Sequence, residues 1–75
     1  MIKIPDVLYE KALSFPECSY GAQRVNLIMK DGSIIENVIL AGGSEIVKVG
    51  GRKVSQEKEL GFNIKDIVDV AEYNF

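Results

Sequence analysis

The side chains most often recruited for catalysis and metal binding are scarce in this sequence, which has no histidine and a single cysteine, Cys18. Neither a Ser-His-Asp nor a Cys-His arrangement can be assembled, and Cys18 has no imidazole to take its proton. It reads as a packing residue or an inert loop thiol. The usual zinc sets need several His or Cys ligands, so no metal is expected, and nothing suggests a cofactor. Asp66 and Asp69 are near enough in sequence to form a carboxylate pair, but no pocket that would shift a carboxyl pKa is in evidence; they read as solvated surface. The pairs Gly42-Gly43 and Gly50-Gly51 invite a phosphate-loop reading, yet neither GxxxxGK(S/T) nor GxGxxG occurs. Both pairs read as turns. What remains is binding chemistry. Gly50-Gly51-Arg52-Lys53 sets exposed backbone amides beside two cations, a combination suited to an anion or an acidic partner. Arg24 and Lys48, both on outward parities, extend that patch.

The elements that must position these groups follow from periodicity and turn signals. Pro5, Asp6 and Glu10 suit the start of a helix and Pro16 its end, so a helix of about three turns is expected over residues 5–15, with Leu8, Ala12 and Phe15 along one stripe. Glu17 to Gly21 reads as a loop. From Gln23 to Lys30 the pattern alternates, with Val25, Leu27 and Met29 on one face and Arg24, Asn26 and Ile28 on the other. Asp31-Gly32 then predicts a two-residue hairpin turn into a returning strand, Ser33 to Leu40. Ala41-Gly42-Gly43-Ser44 makes the next turn, Glu45 to Val49 a third strand, and Gly50 to Lys53 a turn before a short strand near Val54. Ser55 to Glu59 reads as polar surface. Leu60, Phe62 and Ile64 restart an apolar alternation, and the run from Ile67 to Tyr73 reads as the last strand.

With 75 residues, the chain is expected to form one domain with one core. A domain of this size buries only about 60% of the surface its unfolded chain exposes, so marginal stability makes burial against a partner attractive. The final Tyr73-Asn74-Phe75 is expected to pack on the sheet for the same reason. Eleven acidic and nine basic residues are scattered without runs, which gives no general attraction to nucleic acid or to an anionic membrane. Met1 to Lys3 leads into Pro5-Asp6 without the basic and apolar regions of a secretory signal, and no stretch approaches the roughly 20 apolar residues of a membrane span. A cytoplasmic protein with a free thiol is expected.

The spacing of turn signals suggests a small antiparallel sheet or barrel. The block Val25-Asn26-Leu27-Ile28-Met29-Lys30-Asp31-Gly32, preceded by a helix, resembles the V-x-L-x-(N/D)-G signature of the Sm family, and the whole arrangement is similar to the small SH3-like barrels. The resemblance implies a mainly β fold, a five-stranded antiparallel SH3-like or Sm-like barrel with an N-terminal helix; the alternative is an open α+β sheet with that helix on one face. The residues through which the Sm family contacts RNA are not matched. Glu36-Asn37 stands where a strand glycine is usual, Ala41-Gly42-Gly43-Ser44 replaces the Asp and Asn of the RNA-contacting loop, and Ile64-Lys65-Asp66 replaces the Arg-Gly or Lys-Gly pair.

One strand departs from simple alternation. Ile34, Val38 and Leu40 fall on one parity and Ile35 and Ile39 on the other, so either both faces are covered or a bulge at Glu36-Asn37 resets the register. In the first case Ile28, Ile34, Ile35, Val38 and Ile39 supply an association surface. The function expected is a non-catalytic interaction module that binds protein, itself as a homo-oligomer or another chain. Small-barrel RNA binding is the alternative, and an enzyme ranks last. Elemental analysis of the purified protein is expected to find no stoichiometric transition metal; a molar equivalent of one would overturn the ligand argument.

Overall fold

The computed structural model describes residues 2–19 and 21–73, with backbone alone at 18 and 19. The fold is mainly β, with one short helix near its start. The elements are α1 (Tyr9–Leu13), β1 (Glu17–Ser19), β2 (Ala22–Met29), β3 (Ile34–Ala41), β4 (Glu45–Val49), β5 (Arg52–Lys53) and β6 (Ile67–Glu72). All pairings are antiparallel, in the order β1-β2-β3-β4-β5, with β6 also on β2. β2 therefore organises the sheet. One of its edges holds β3, and the other is shared by β1 near Ala22 and by β6 from Val25 to Met29.

The barrel is not closed. Among the described residues no ladder joins β5 to β6, so the arrangement is a strongly bent open sheet. The seam is filled instead by residues 54–66, which contain two 3-10 turns, Glu57–Glu59 and Ile64–Asp66. Val54 and Leu60 are buried there, and Phe62 and Ile64 pack on the core. Apolar residues without a strand partner thus do by packing what a closing ladder does by hydrogen bonding.

The helix is shorter than its sequence pattern. A 3-10 turn over Asp6–Leu8 precedes the five-residue α1, but the expected stripe faces inward: Leu8 and Ala12 are buried and Phe15 packs on the core. A helix this short is unstable alone and owes its order to that burial. Ahead of it, Lys3 bridges to Glu45 while Ile2 and Ile4 enter the core, with Ile4 N–H donating to Ser44 O at 2.9 Å and Ile46 N–H to Ile2 O at 2.7 Å. Two further departures are local. Glu17–Ser19, where the sequence predicts a loop, pairs with β2 as β1, and Arg52–Lys53, where it predicts a turn, is β5. The expectation placed on the Cys18 side chain lies outside the described residues, as do Asn74 and Phe75.

Bulges give the sheet its bend. Asn26 of β2 lies between the pairs Val25↔Val38 and Leu27↔Ile35, so it faces two residues of β3, Glu36 and Asn37. Asn37 takes φ 60°, and its N–H donates to Asn26 Oδ1 at 3.2 Å. Asparagine tolerates this left-handed conformation better than other side chains with a Cβ. The physical reason for the reset is Glu36. Strict alternation outward from the buried Val38 would drive its carboxylate into the core, at a cost of several kcal/mol or a large pKa shift. Further shifts lie at Val47 of β4 and Val68 of β6.

The β2–β3 connection is a three-residue loop, Lys30-Asp31-Gly32, rather than the two-residue turn expected. Gly32 N–H donates to Met29 O at 3.0 Å and Met29 N–H to Ser33 O at 2.9 Å, and Gly32 alone has positive φ, at 91°. This is a type I turn followed by a left-handed residue. Asp31 secures it by accepting from Ser33 N–H and Oγ–H, which hold its carboxyl below the ordinary carboxylate range. A Cβ at Gly32 would meet nothing within 4 Å, so any cost of substitution is conformational. Gly32→Val is expected to lower stability by about 1–3 kcal/mol and Gly32→Asn by far less. Equal melting temperatures for the two variants would refute the assignment.

Candidate functional site

The outer face of the sheet carries one row of side chains that crosses four strands. Arg24 of β2 pairs with Ile39 of β3, Ile39 with Lys48 of β4, and Lys48 with Lys53 of β5. Directly paired residues point to the same side of a sheet. Their inner neighbours Val25, Val38 and Leu40 are buried, which fixes this row as outward. Three of its four members are cations.

Local sequence explains how the row is built. Gly50 and Gly51 both have positive φ, at 60° and 84°, the backbone of a two-residue hairpin turn of mirror-image type. That turn sets Val49 opposite Arg52 and hence Lys48 opposite Lys53. On the other side of β4, Ile39 faces Lys48 and Leu40 faces Ile46, so Val47 is the extra residue of a bulge. Val47 and Lys48 together line two adjoining depressions. One, of about 370 Å3, runs between Arg24 and Lys48 over Ile39, with Ala22 and Asn37 at its sides. The other, of about 600 Å3, lies beyond Lys48 and is bounded by Lys53, Val54, Ser55 and Glu59.

Neither Lys48 nor Lys53 forms an ion pair among the described residues, whose salt bridges are Lys11 to Asp69 and Lys30 to Asp66. Arg24 lies over the ring of Tyr73, 5.7 Å from its centroid, a cation–π contact that seats the end of the described chain on the sheet. Arg52, expected in the patch, is diverted: its Nη1 donates to Glu59 O at 2.9 Å. Among the described residues lining the groove, the one carboxylate is already engaged. Glu59 Oε1 accepts from Ser55 N–H, Ser55 Oγ–H and Gln56 N–H at 3.0–3.1 Å, and these bonds hold its pKa below the ordinary value.

The structure therefore brings Arg24, Lys48 and Lys53 together and turns Arg52 to a structural task. Val47, Ser55, Glu59 and Tyr73 were missed by the sequence reading. The signal for part of the row was present, because a Gly-Gly hairpin fixes Lys48 opposite Lys53, whereas the Val47 bulge had none.

The expected association surface divides. Val38 is fully buried opposite Val25, and Ile35, opposite Leu27, is half-buried and turned toward the core rather than to the outer face. Ile39 belongs to the basic row. Only Ile34, 56% exposed, and half-buried Ile28 opposite it remain together, near the far end of β2. Asp66 and Asp69 do not form an acid pair: each has its own lysine, Lys30 at 3.2 Å and Lys11 at 2.7 Å. Among the described residues no three of His, Cys, Asp and Glu gather to hold a metal ion, and no helix is long and apolar enough to cross a membrane.

No protein-family model matches the chain, and neither the curated proteins nor the solved structures searched gave a match.

Glu59 beside the groove and Asp69 on β6 give the fold a defined acid response. Glu59 is held low by Ser55 and Gln56, and Asp69 by Lys11 Nζ at 2.7 Å and Val70 N–H at 2.8 Å. A depressed folded-state pKa contributes stability that is complete above the ordinary values of 4.5 and 3.8 and is lost as pH falls through the lower folded values. The melting temperature is expected to fall on acidification below about pH 5. Glu59→Gln should melt below the parent at neutral pH, and the gap should narrow in acid. A gap unchanged by pH would show that Glu59 ionisation contributes nothing.

Proposed function

We propose that this protein is a non-catalytic interaction module of the cytoplasm that binds an acidic, extended segment of a partner protein across strands β5 to β2. The observation that carries the reading is Lys48 opposite Lys53, continued over Ile39 to Arg24, beside two adjoining depressions. Like charges directly opposite one another destabilise a sheet by tenths of a kcal/mol to about 1 kcal/mol. An anionic segment laid between them converts that repulsion into attraction, and the apolar side chains of Ile39 and Val47 offer it a surface that excludes water. The likeness to SH3-like and Sm-like barrels belongs to the same proposal and is supported by the bent antiparallel sheet with its leading helix.

A protein segment suits the row better than single-stranded nucleic acid. Sequence-tolerant nucleic-acid binding relies on aromatic faces on which bases stack, but the apolar members of this row are aliphatic and Tyr73 is engaged with Arg24. The chain is also net acidic, at −2.

Lys53→Glu gives a test with two opposed readouts. It places a carboxylate opposite Lys48, so stability should rise by about 0.2–1 kcal/mol. Binding of a labelled glutamate-rich peptide, followed by fluorescence anisotropy at low salt, should weaken about tenfold, since one rim contact worth up to about 1 kcal/mol is lost and a repulsion of similar size replaces it. Unchanged peptide affinity in the variant would overturn the reading. So would tighter binding of single-stranded RNA than of the peptide, with a steep loss as salt rises.

A further inference from the structure

The row has a fixed spacing, and a fixed spacing selects a sequence. Resting on the reading above, we infer that the partner segment carries the pattern acidic-x-aliphatic-x-acidic, with its first acid over the Lys48–Lys53 pair, its aliphatic residue over Ile39 and its second acid at Arg24. Neighbouring strands lie about 4.8 Å apart. From the midpoint of the lysine pair, Ile39 is then about 7 Å away and Arg24 about 12 Å away, measured along the row. In an extended peptide, residues i, i+2 and i+4 share a face at intervals of about 6.8 Å, which puts i+2 at about 7 Å and i+4 at about 14 Å. The remaining difference at the far end is within the reach of an arginine side chain. Residues i+1 and i+3 point to solvent and carry no requirement.

The order of chemistries follows from what each position offers. Lys48 and Lys53 converge on one site from opposite strands, so the first acid meets two ammonium groups and is the stronger electrostatic anchor. Ile39 is half-buried on the floor of the depression between Arg24 and Lys48, and an aliphatic side chain laid on it removes apolar surface of both partners from water. Arg24 already lies over Tyr73, which restricts where its guanidinium can meet the second acid.

Three labelled peptides of equal charge separate spacing from charge alone: one containing Glu-Ser-Leu-Ser-Glu, one with the same residues reordered to Glu-Leu-Ser-Ser-Glu, which keeps both acids in place and turns the leucine to solvent, and one with Leu replaced by Ser. In anisotropy titrations the first should bind about fivefold tighter than the other two, the scale of burying part of one leucine. Ile39→Thr keeps a β-branched residue in the strand and should abolish that preference while weak binding of all three persists. Equal affinity of the three peptides, still lost in Lys53→Glu, would overturn the spacing and leave the acidic-segment reading standing. A preference for the first peptide that survives Ile39→Thr would also overturn it, as would tighter binding of a helix-spaced peptide with Glu, Leu and Glu at i, i+4 and i+8. Failure of all the peptides to bind would remove the underlying reading itself.

Discussion

The structure depends first on the two-against-one pairing of Glu36 and Asn37 with Asn26. Before this bulge, Ile35 faces the core; after it, Val38 and Leu40 do. Had the strand kept simple alternation, either Ile35 would lie outside and Glu36 inside, or Val38 and Leu40 would lie outside. The reset avoids both, at the cost of one residue in a left-handed conformation, which an asparagine and its bond to Asn26 make tolerable. Every outward assignment further along β3 follows from it. Ile39 joins Arg24 and Lys48 on the outer face because the parity changes there.

The central position of β2 is the second organising fact. It carries β3 on one edge and both β1 and β6 on the other, so its inner residues Val25, Leu27 and Met29 are covered and buried. β4 shows the same economy. Its edge away from β3 is shared by β5 and by the bridge at Lys3, and Val54 N–H adds a bond to Val47 O at 3.1 Å. Segments too short to be stable strands in isolation thus satisfy the backbone of longer ones. The seam between β5 and β6 is held by side-chain packing, which explains a sheet as bent as a barrel without continuous hydrogen bonding around it.

Electrostatics divides the surface into settled and unsettled regions. Lys11 with Asp69 and Lys30 with Asp66 tie the helix and the hairpin to β6 and the segment before it. Exposed pairs of this kind add little stability and act mainly to fix geometry. Across the sheet, Lys48 and Lys53 are opposed by backbone register, and neither is ion-paired among the described residues. In the proposed function this local repulsion is what makes the face receptive to an acidic segment, while Glu59, held by Ser55 and Gln56, is kept from competing for the lysines.

By itself, the sequence determined the local elements whose causes lie within a few residues. Pro5 and Pro16 bracket the helical segment, alternation marks β2, Asp31-Gly32 marks a hairpin, and Gly50-Gly51 marks a turn beside two cations. It also posed the right question of β3, since apolar residues on both parities demand either a covered second face or a bulge. Periodicity has no means of choosing between these, because the answer lies in a bond from Asn37 to Asn26 eleven positions away. Tertiary structure decided that choice, and with it the turning of Ile35 and Val38 toward the core. It also decided which cations meet. Arg24 and Lys48 are separated by 23 intervening residues and brought together only through Ile39, and Arg52 left the patch because the chain returns to offer it the carbonyl of Glu59. Turn chemistry is local and readable; register across strands is set by the burial of the whole sheet, and no short window of sequence contains it.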